Sequence, residues 1–262
     1  MTDATLEFVG TATSLLRLGP FTVLTDPNFL HRGQLAYLGK GLASRRLTEP
    51  TRTPASLPEL DAIVLSHLHG DHFDRVARRE LTRDPPLLTT PQAAPRLDRW
   101  GFDAVGLSTW SSHELERDGV GLSITSTPGR HAPGLAQALL PAVMGSVLTL
   151  DTGSGEPLRV YVTGDTLYRE SLREVVERCG PVDAMVVHLG GTRVLGLLVT
   201  MDDEQGARLV QTIRPKVTVP VHFEDYRVFR SPREDFVARF ARDALPGDLR
   251  VVERGRTISL VP

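Results

Sequence analysis

The sequence is poor in cysteine, in lysine and in long apolar runs, and each shortage argues against a class of protein. Cys179 is the only cysteine among the 262 residues. No disulfide can therefore form within the chain, which is typical of proteins in a reducing compartment. Lys40 and Lys216 are the only lysines, and 30 basic residues against 32 acidic residues leave a net charge of -2. This balance argues against nucleic acid or an anionic membrane as the main partner.

Signals for membrane insertion and for export are also missing. No stretch reaches the roughly 18 continuous apolar residues that a membrane-spanning helix needs. The N-terminal residues MTDATLEFVG contain no basic region followed by an apolar one, so we predict no signal peptide. Hydrophobic residues make up 40% and charged residues 24% of the chain, which is typical of a globular protein. We therefore expect a cytoplasmic protein that acts on a small molecule, and a homo-oligomer is compatible with these features.

Short β-rich segments and strand–helix units alternate along the chain. Residues 5–10, 14–19 and 21–26 predict a strand meander, because they are β-rich and separated by Gly or Pro. Residues 27–60 predict a long, ordered loop that partly covers the site, since unstructured loops of this length are uncommon in compact domains. The rest predicts strands alternating with helices, and nothing resembles a linker. We therefore expect residues 1–262 to form a single α/β domain.

Histidine or aspartate stands at the end of five predicted strands. In open α/β sheets, sites form beyond the carboxyl ends of the strands, where loops leave a rigid scaffold. A lone histidine is more often a satisfied polar residue than a ligand, but five such strand ends together favour a site. The five residues are His67 after AIVLS, His131 after GLSITSTPGR, Asp165 after LRVYVTG, His188 after AMVV and His222 after VTVPV.

The stretch VLSHLHGDHF places three of the eight histidines and one aspartate close together. His67 and His69 point to one side if the chain stays extended, because side chains alternate along a strand. Gly70 permits a sharp turn, after which Asp71 and His72 face a neighbouring position. Leaving four such groups unpaired beside a buried strand would be costly. The pattern therefore predicts two metal ions, and nitrogen and oxygen ligands without thiolates suit zinc, manganese or iron.

Each ion needs further protein ligands, and the other strand ends supply candidates. His131 and His222 could complete the two sets, and Asp165 could bridge them with both carboxylate oxygens. His188 is also at a strand end, but seven ligands already fill two sites. We therefore interpret His188 as a residue that supports the ligands or as a proton donor.

The motif HLHGDH resembles the His-x-His-x-Asp-His pattern of the metallo-β-lactamase superfamily. PGRHAP, VTGDT and VPVHFEDY follow in the order that this family shows. The resemblance covers nearly the whole chain and implies the family's fold, an αβ/βα four-layer sandwich of two sheets with helices outside. It also implies the ligand sets, which are His67, His69 and His131 on one metal, Asp71, His72 and His222 on the other, and Asp165 between them.

Within the superfamily, the segments GTATSLLRLGPFTVLTDP, HLGGT and PVHFEDY are most similar to one branch. That branch includes L-ascorbate-6-phosphate lactonase and N-acylphosphatidylethanolamine-hydrolysing phospholipase D. Two other groups are less similar. β-Lactamases commonly use a cysteine ligand, whereas Cys179 lies outside all of these motifs, and the flavin-linked di-iron oxidoreductases carry glutamate where this chain has His69.

These residues predict a dinuclear-metal-dependent hydrolase with zinc as the preferred metal, and the resemblance implies the phosphodiesterase or lactonase type. Two divalent ions would lower the pKa of a water so that hydroxide attacks a carbonyl carbon or a phosphorus. We assign Asp71 to orienting the hydroxide and accepting its proton, and His188 to protonating the leaving group. Arg193, in HLGGTR, would attract an anionic group of a small substrate.

Two alternatives stay open at this point. The first is a hydrolase of a lipid-like phosphodiester or acyl amide, which the apolar segment APGLAQALLPAVMG (residues 132–145) suggests. That segment predicts either a helix packed on the core or an apolar wall beside the metals. The second alternative is a metal-binding protein without catalytic activity.

Overall fold

A computed structural model describes residues 3–261. In this part of the chain, strands β1 to β9 are Ala4–Gly10, Thr13–Leu18, Phe21–Thr25, Leu35–Gly39, Leu42–Arg45, Ala62–Val64, Leu87–Thr89, Ala104–Gly106 and Ser112–Arg117. Strands β10 to β18 are Val120–Pro128, Met144–Asp151, Leu158–Val162, Ala184–His188, Arg193–Val194, Leu197–Leu198, Val217–Val221, Asp248–Leu249 and Thr257–Ser259. Helices α1 to α5 are Arg75–Glu80, Ala94–Asp98, Glu174–Cys179, Asp203–Ile213 and Arg233–Arg242. Short 3-10 helices cover Pro54–Ser56, Gly134–Leu139 and Glu170–Arg173.

Two mixed seven-stranded sheets form the centre of the molecule. Their strand orders are β18-β1-β2-β3-β6-β7-β8 and β17-β16-β13-β12-β11-β10-β9. In the first sheet, β3, β6, β7 and β8 are parallel, and in the second, β12, β13, β16 and β17 are parallel. The remaining neighbours within each sheet pair antiparallel. Two hairpins, β4–β5 and β14–β15, stand apart from both sheets.

Alternation of side chains along the strands divides the core into three apolar layers. Val23 of β3 and Val186 of β13 face the layer between the two sheets. Leu24, one residue further on, faces a second layer formed with α1 and α2, and Val187 faces a third layer formed with α3, α4 and α5. Strands buried on both faces carry continuous apolar runs for this reason. The arrangement is the expected αβ/βα sandwich, with helices on the outer face of each sheet.

Polar side chains begin two of the helices. Asp74 accepts hydrogen bonds from two backbone amides at the start of α1, and Asp202 accepts one at the start of α4. The sequence predicts Ser231 as the N-cap of α5 with Pro232 at N1, but Pro232 occupies the N-cap position. The hydroxyl of Ser231 instead accepts a hydrogen bond from the backbone amide of Asp203, so it supports the start of α4.

The topology explains the position of the predicted site. Strands β3 and β6 of the first sheet are parallel, as are β12, β13 and β16 of the second sheet. The residues that follow these strands meet at one edge of the sandwich. Residues 27–60 are ordered, as expected, and contain the β4–β5 hairpin that the sequence did not predict. That hairpin lies beside the same edge, since a Cβ added to Gly39 would lie 3.7 Å from Nε2 of His69. Among residues 3–261, no helix has the length and apolar character required to cross a membrane.

Candidate metal centre

The structure brings the seven predicted ligands together where the strands of both sheets end. They form two groups, and within each group the candidate ligand atoms lie within 4.8 Å of one another. Six of the seven side chains are buried, and His69 is partly buried. The first group is His67, His69 and His131, and the second is Asp71, His72, Asp165 and His222.

The first group consists of three imidazoles that face one another. Nε2 of His67 lies 2.9 Å from Nδ1 of His69, and Nε2 of His131 lies 3.2 Å from the same atom. Nitrogens bound to one tetrahedral zinc ion lie about 3.4 Å apart, which is close to these spacings. Nδ1 of His131 lies 2.6 Å from the carbonyl oxygen of Val199. That contact favours the tautomer whose Nε2 is free to bind a metal.

The second group combines two imidazoles with two carboxylates. Nε2 of His72 lies 3.1 Å from Nε2 of His222 and 3.3 Å from Oδ2 of Asp165. Nδ1 of His222 lies 3.4 Å from Oδ1 of Asp165, and Nε2 lies 3.5 Å from Oδ2 of Asp71. His222 has a left-handed backbone with φ 64°, directly after the last residue of β16. Such backbone conformations are uncommon outside glycine and cluster at functional sites.

Burial keeps the three imidazoles of the first group neutral. It lowers the pKa of His69 to about 3 and also lowers the pKa of His67 and of His131. At His67, the neighbouring imidazoles lower the pKa further. Neutral imidazole is the form that binds metal ions, so the first group is ready to bind a cation at neutral pH.

The second group concentrates negative charge around one imidazole. Burial by itself lowers the pKa of His72, but the carboxylates of Asp165, Asp26 and Asp71 raise it well above its usual value. Burial raises the pKa of Asp165, and the nearby imidazoles more than offset this, so that its pKa lies well below the usual range. Buried carboxylates need a positive partner, which is either a protonated His72 or a bound cation.

Asp26 is a functional candidate that the sequence analysis did not select. It follows β3 directly, with φ 42°, and Oδ2 lies 3.3 Å from Nδ1 of His72 and 3.5 Å from Nε2 of His188. Its other carboxylate oxygen accepts hydrogen bonds from the backbone amide and the hydroxyl of Ser66, at 2.8 and 2.9 Å. A carboxylate in this position orients the imidazole so that Nε2 faces the second group. The signal in the sequence was another strand ending in a carboxylate, in VLTDP.

His188 lies behind His72 and does not reach the surface. The His188 side chain is completely buried, and its ring stacks on that of His72 with the centroids 6.0 Å apart. Nδ1 lies 3.2 Å from the hydroxyl of Thr163, and burial lowers the pKa of the imidazole. His188 lies outside the two groups of predicted ligands and forms a third cluster of possible metal-binding atoms with Asp26 and His72. Its predicted role as the acid stays a prediction.

The unpaired atoms of the cluster fit a divalent ion. Buried polar side-chain atoms normally have a hydrogen-bond partner. Within residues 3–261, Oδ1 of Asp71, Oδ1 of Asp165 and Nδ1 of His222 are buried without a hydrogen bond, although the last two atoms lie 3.4 Å from each other. These atoms belong to predicted ligands and are nitrogen or carboxylate oxygen, the donor types that zinc, manganese and iron accept. The side chains present therefore suit the metals that the sequence predicts.

Arg193 lies at the rim of a cavity beside the centre. The cavity has a volume of about 500 Å³ and is lined by His69, Asp71, His131 and Asp165 of the ligand groups, together with aliphatic side chains. The guanidinium group of Arg193 is half exposed and lies 3.6 Å from Asp202, so part of its charge is already paired. Its role in attracting an anionic group stays a prediction.

The apolar segment 132–145 forms a wall of this cavity and not a core helix. Its central residues form the 3-10 helix Gly134–Leu139, in which no residue is buried. Leu135 is 94% exposed and Leu139 is 64% exposed, and Leu139 lines the cavity. Of the two arrangements that the sequence left open, the structure shows the apolar wall.

Comparison with known proteins agrees with the fold and the motifs. A family model described as a beta-lactamase superfamily domain matches residues 22–223. A UPF0173 metal-dependent hydrolase of Anaeromyxobacter sp. is 30% identical over 78% of this chain and 72% of its own length. An uncharacterised protein of Mycobacterium tuberculosis is 27% identical over 94% of this chain. The match covers 65% of that protein's own length.

The solved structures show the same fold. An isothiocyanate hydrolase from Delia radicum gut bacteria superposes with a TM-score of 0.80 at 19% identity, covering 98% of this chain and 100% of the other. Identity at that level supports the fold alone. The family match covers most of the chain and includes the HLHGDH motif, His131, Asp165 and His222. The chain therefore belongs to the metallo-β-lactamase superfamily, in the part of it that contains the UPF0173 family.

Proposed function

We propose that the chain is a metal-dependent hydrolase with a two-ion centre that acts on a phosphodiester or a lactone. The observation that carries this proposal is the convergence of seven histidine and aspartate side chains, from strand ends of both sheets, into two adjacent groups that could each hold an ion. Relatives named metal-dependent hydrolases support the reaction class. The sequence similarity to the lactonase and phospholipase D branch supports the two bond types. Zinc is the metal that we propose first, because imidazole and carboxylate ligands without thiolates suit it.

His67, His69 and His131 would hold one ion, and Asp71, His72 and His222 the other, with Asp165 shared between them. When bound, such ions lower the pKa of a coordinated water and stabilise charge that develops on the substrate oxygen. The protein's own contribution is to fix the ligands. Val199 holds His131 through its carbonyl oxygen, and Asp26 holds His72 through its carboxylate. Rigid ligands of this kind keep the site in its productive geometry.

Asp71 is placed to take part in proton transfer. Its Oδ2 faces His222, whereas its Oδ1 is buried without a hydrogen-bond partner among the described residues, and the residue lines the cavity. Nearby imidazoles, chiefly His72, lower its pKa despite burial, so the carboxylate is ionised at neutral pH. We propose that Oδ1 of Asp71 orients the attacking water and accepts its proton.

His188 remains our proposed acid for the leaving group, and its burial gives this proposal a competitor. A general acid must reach the leaving group directly or through one water. Nε2 of His188 faces Asp26 at 3.5 Å, and the side chain is fully buried. A role in holding Asp26 against His72 would also account for these contacts, and the two roles predict different kinetics.

A second candidate function has specific support. The cavity beside the ligands is lined mainly by leucine, valine and alanine, including Leu42, Leu139, Leu197 and Val199. An aliphatic lining is complementary to an apolar part of a substrate. A lipid-like phosphodiester or acyl amide is therefore the alternative substrate class.

Metal analysis combined with a substrate panel tests the proposal. Purified protein should contain about two transition-metal ions per chain. Metal-loaded protein should hydrolyse at least one member of a panel of aryl phosphodiesters, lactones and acyl amides, and chelation should abolish the activity. Bound metal without turnover of any substrate would favour the non-catalytic alternative. Activity that survives complete removal of metal would contradict the proposal.

A further inference from the structure

Two cavities of different chemistry meet at His69. The aliphatic cavity, of about 500 Å³, contains the ligand side chains described above. A second cavity, of about 590 Å³, is lined by β4 of the β4–β5 hairpin and also by His69. Both volumes are within the range of pockets that bind organic molecules. Residues Leu38–Lys40 of the hairpin region and Leu139 of the apolar wall line both cavities, so they form the boundary between them.

The second cavity is basic. Four cationic side chains line it, and Asp74 is the one acidic residue of its lining within the described part of the chain. The carboxylate of Asp74 accepts hydrogen bonds from the backbone amides of Phe29, Leu30, Val76 and Ala77, so it is not available to pair with the cations. The cationic residues are Lys40, Arg75, Arg78 and Arg96.

An aromatic ring holds two of these cations in place. The guanidinium carbons of Arg78 and Arg96 lie 4.2 and 4.9 Å from the centroid of the Trp100 ring. Stacking on an aromatic ring restricts a guanidinium group while leaving its N–H donors free for an anion. Charge-assisted hydrogen bonds from such donors are stronger than neutral ones. The basic cavity is therefore built to bind a carboxylate, sulfonate or phosphate group.

The aliphatic cavity differs in its lining and in its mouth. Leu42, Leu139, Leu195 and Leu197 contribute to it from three separate segments, which are the two hairpins and the 3-10 helix. Leu195 is 99% exposed and Leu197 is 47% exposed. Large apolar side chains exposed together around one opening mark a binding surface for an apolar group.

We propose that the substrate is an amphiphile that occupies both cavities. Its anionic group binds in the basic cavity, its aliphatic part binds in the aliphatic cavity, and the bond to be hydrolysed lies at the end of the aliphatic cavity where His69 joins the two, beside Asp71. This inference rests on the proposed hydrolase function and adds the substrate class. An amphiphile would contact both kinds of lining that meet at the ligand cluster. A small polar substrate or a neutral lipid would contact only one of them.

Binding of n-alkanesulfonates tests the inference without requiring turnover. Butane-, hexane-, octane- and decanesulfonate carry an anionic group and an alkyl tail of increasing length. Calorimetric titration into the metal-loaded protein, below the concentration at which micelles form, should show affinity rising by about fourfold for each added CH₂. The n-alcohols of the same length should bind at least about tenfold more weakly, because they lack the charge.

Two variants with matched controls assign each effect to its cavity. Arg96→Gln should remove most of the preference for the sulfonate over the alcohol, and Arg208→Gln, on the exposed face of α4, should leave it unchanged. Leu197→Ser should reduce the gain per CH₂, and Leu47→Ser, at a residue that is 40% exposed and lines neither cavity, should not. Thermal unfolding of all four variants checks that each is folded.

The outcomes separate this inference from the proposed function. Affinity that is independent of chain length, or equal for sulfonates and alcohols, would overturn the amphiphile proposal even if the protein hydrolyses a substrate from the panel. Control variants that change binding as much as Arg96→Gln or Leu197→Ser would also overturn it, since the ligand would then adsorb elsewhere. The expected binding pattern in a protein without any hydrolytic activity would uphold the two-cavity site and contradict the proposed function alone.

Discussion

Replacing Asp165 by asparagine is the sharpest test of the metal centre. Asp165→Asn keeps the size and shape of the side chain but removes one negative charge. In the structure, its two carboxylate oxygens lie 3.3 Å from Nε2 of His72 and 3.4 Å from Nδ1 of His222. Its Oδ2 also accepts a hydrogen bond from the hydroxyl of Thr200 at 3.1 Å, which an amide oxygen can still accept. The substitution therefore changes charge with little change in packing.

The size of the effect follows from the burial of the carboxylate. Two unit charges about 4 Å apart attract by about 4 kcal/mol at an effective dielectric constant of about 20. The variant no longer has to desolvate a charged group, which offsets part of that loss. We therefore expect the affinity for at least one ion to fall by about 100-fold, or about 2.7 kcal/mol. Metal content after dialysis should fall accordingly, and turnover should fall with it.

Competition with a chromophoric chelator measures the affinities directly. Asp248→Asn is a suitable control, because it removes the same charge at a side chain that is 69% exposed, on β17. The control should bind metal as the unsubstituted protein does. If Asp165→Asn retains two ions per chain with unchanged affinity and normal turnover, Asp165 is not shared between two ions and the proposed arrangement is wrong.

Three further substitutions test other parts of the site. If His188 is the acid, His188→Ala should retain metal and slow hydrolysis of a substrate with a poor alkoxide leaving group by about 100-fold, while sparing a nitrophenyl substrate; equal slowing of both would assign His188 to positioning. Asp26→Asn should lower metal affinity about 10- to 100-fold by chelator competition, because it weakens the contact that orients His72; unchanged affinity would contradict that role. Gly70→Ala should destabilise the fold by about 1–3 kcal/mol in denaturant unfolding, since its Cβ would lie 2.7 Å from the backbone nitrogen and oxygen of Tyr37; an unchanged midpoint would show that the β4–β5 hairpin moves freely.

The sequence predicted the features that depend on local pattern. Apolar runs that end in histidine identified β6, β13 and β16, because a strand buried on both faces must be apolar until it leaves the sheet. The HLHGDH motif contains four of the candidate ligands within a few residues, and the structure places them in the two groups. Gly70 was correctly singled out, but its main constraint is the close approach of Tyr37 and not only a turn.

Other features depend on contacts between distant segments and could not be predicted in this way. The role of Asp26 appears only when β3 lies beside β6 and brings its carboxylate to His72. The β4–β5 hairpin has no clear alternation of apolar and polar residues, and it pairs at the surface away from both sheets. Whether residues 132–145 pack as a helix or line a cavity depends on what they cover, which periodicity does not reveal.

The distribution of the ligands over both sheets has a consequence for how the protein folds. Four of the proposed ligands, His67, His69, Asp71 and His72, follow β6 of the first sheet, whereas the remaining proposed ligands follow strands of the second sheet. A bound ion would thus link parts of the chain that are far apart in sequence, as a disulfide does in other proteins. This chain has a single cysteine and cannot form such a disulfide within itself. Cross-links that close long loops restrict the unfolded chain most. Metal should therefore slow unfolding by holding the two sheets together, so that the half-life of the protein in denaturant becomes a measure of metal occupancy.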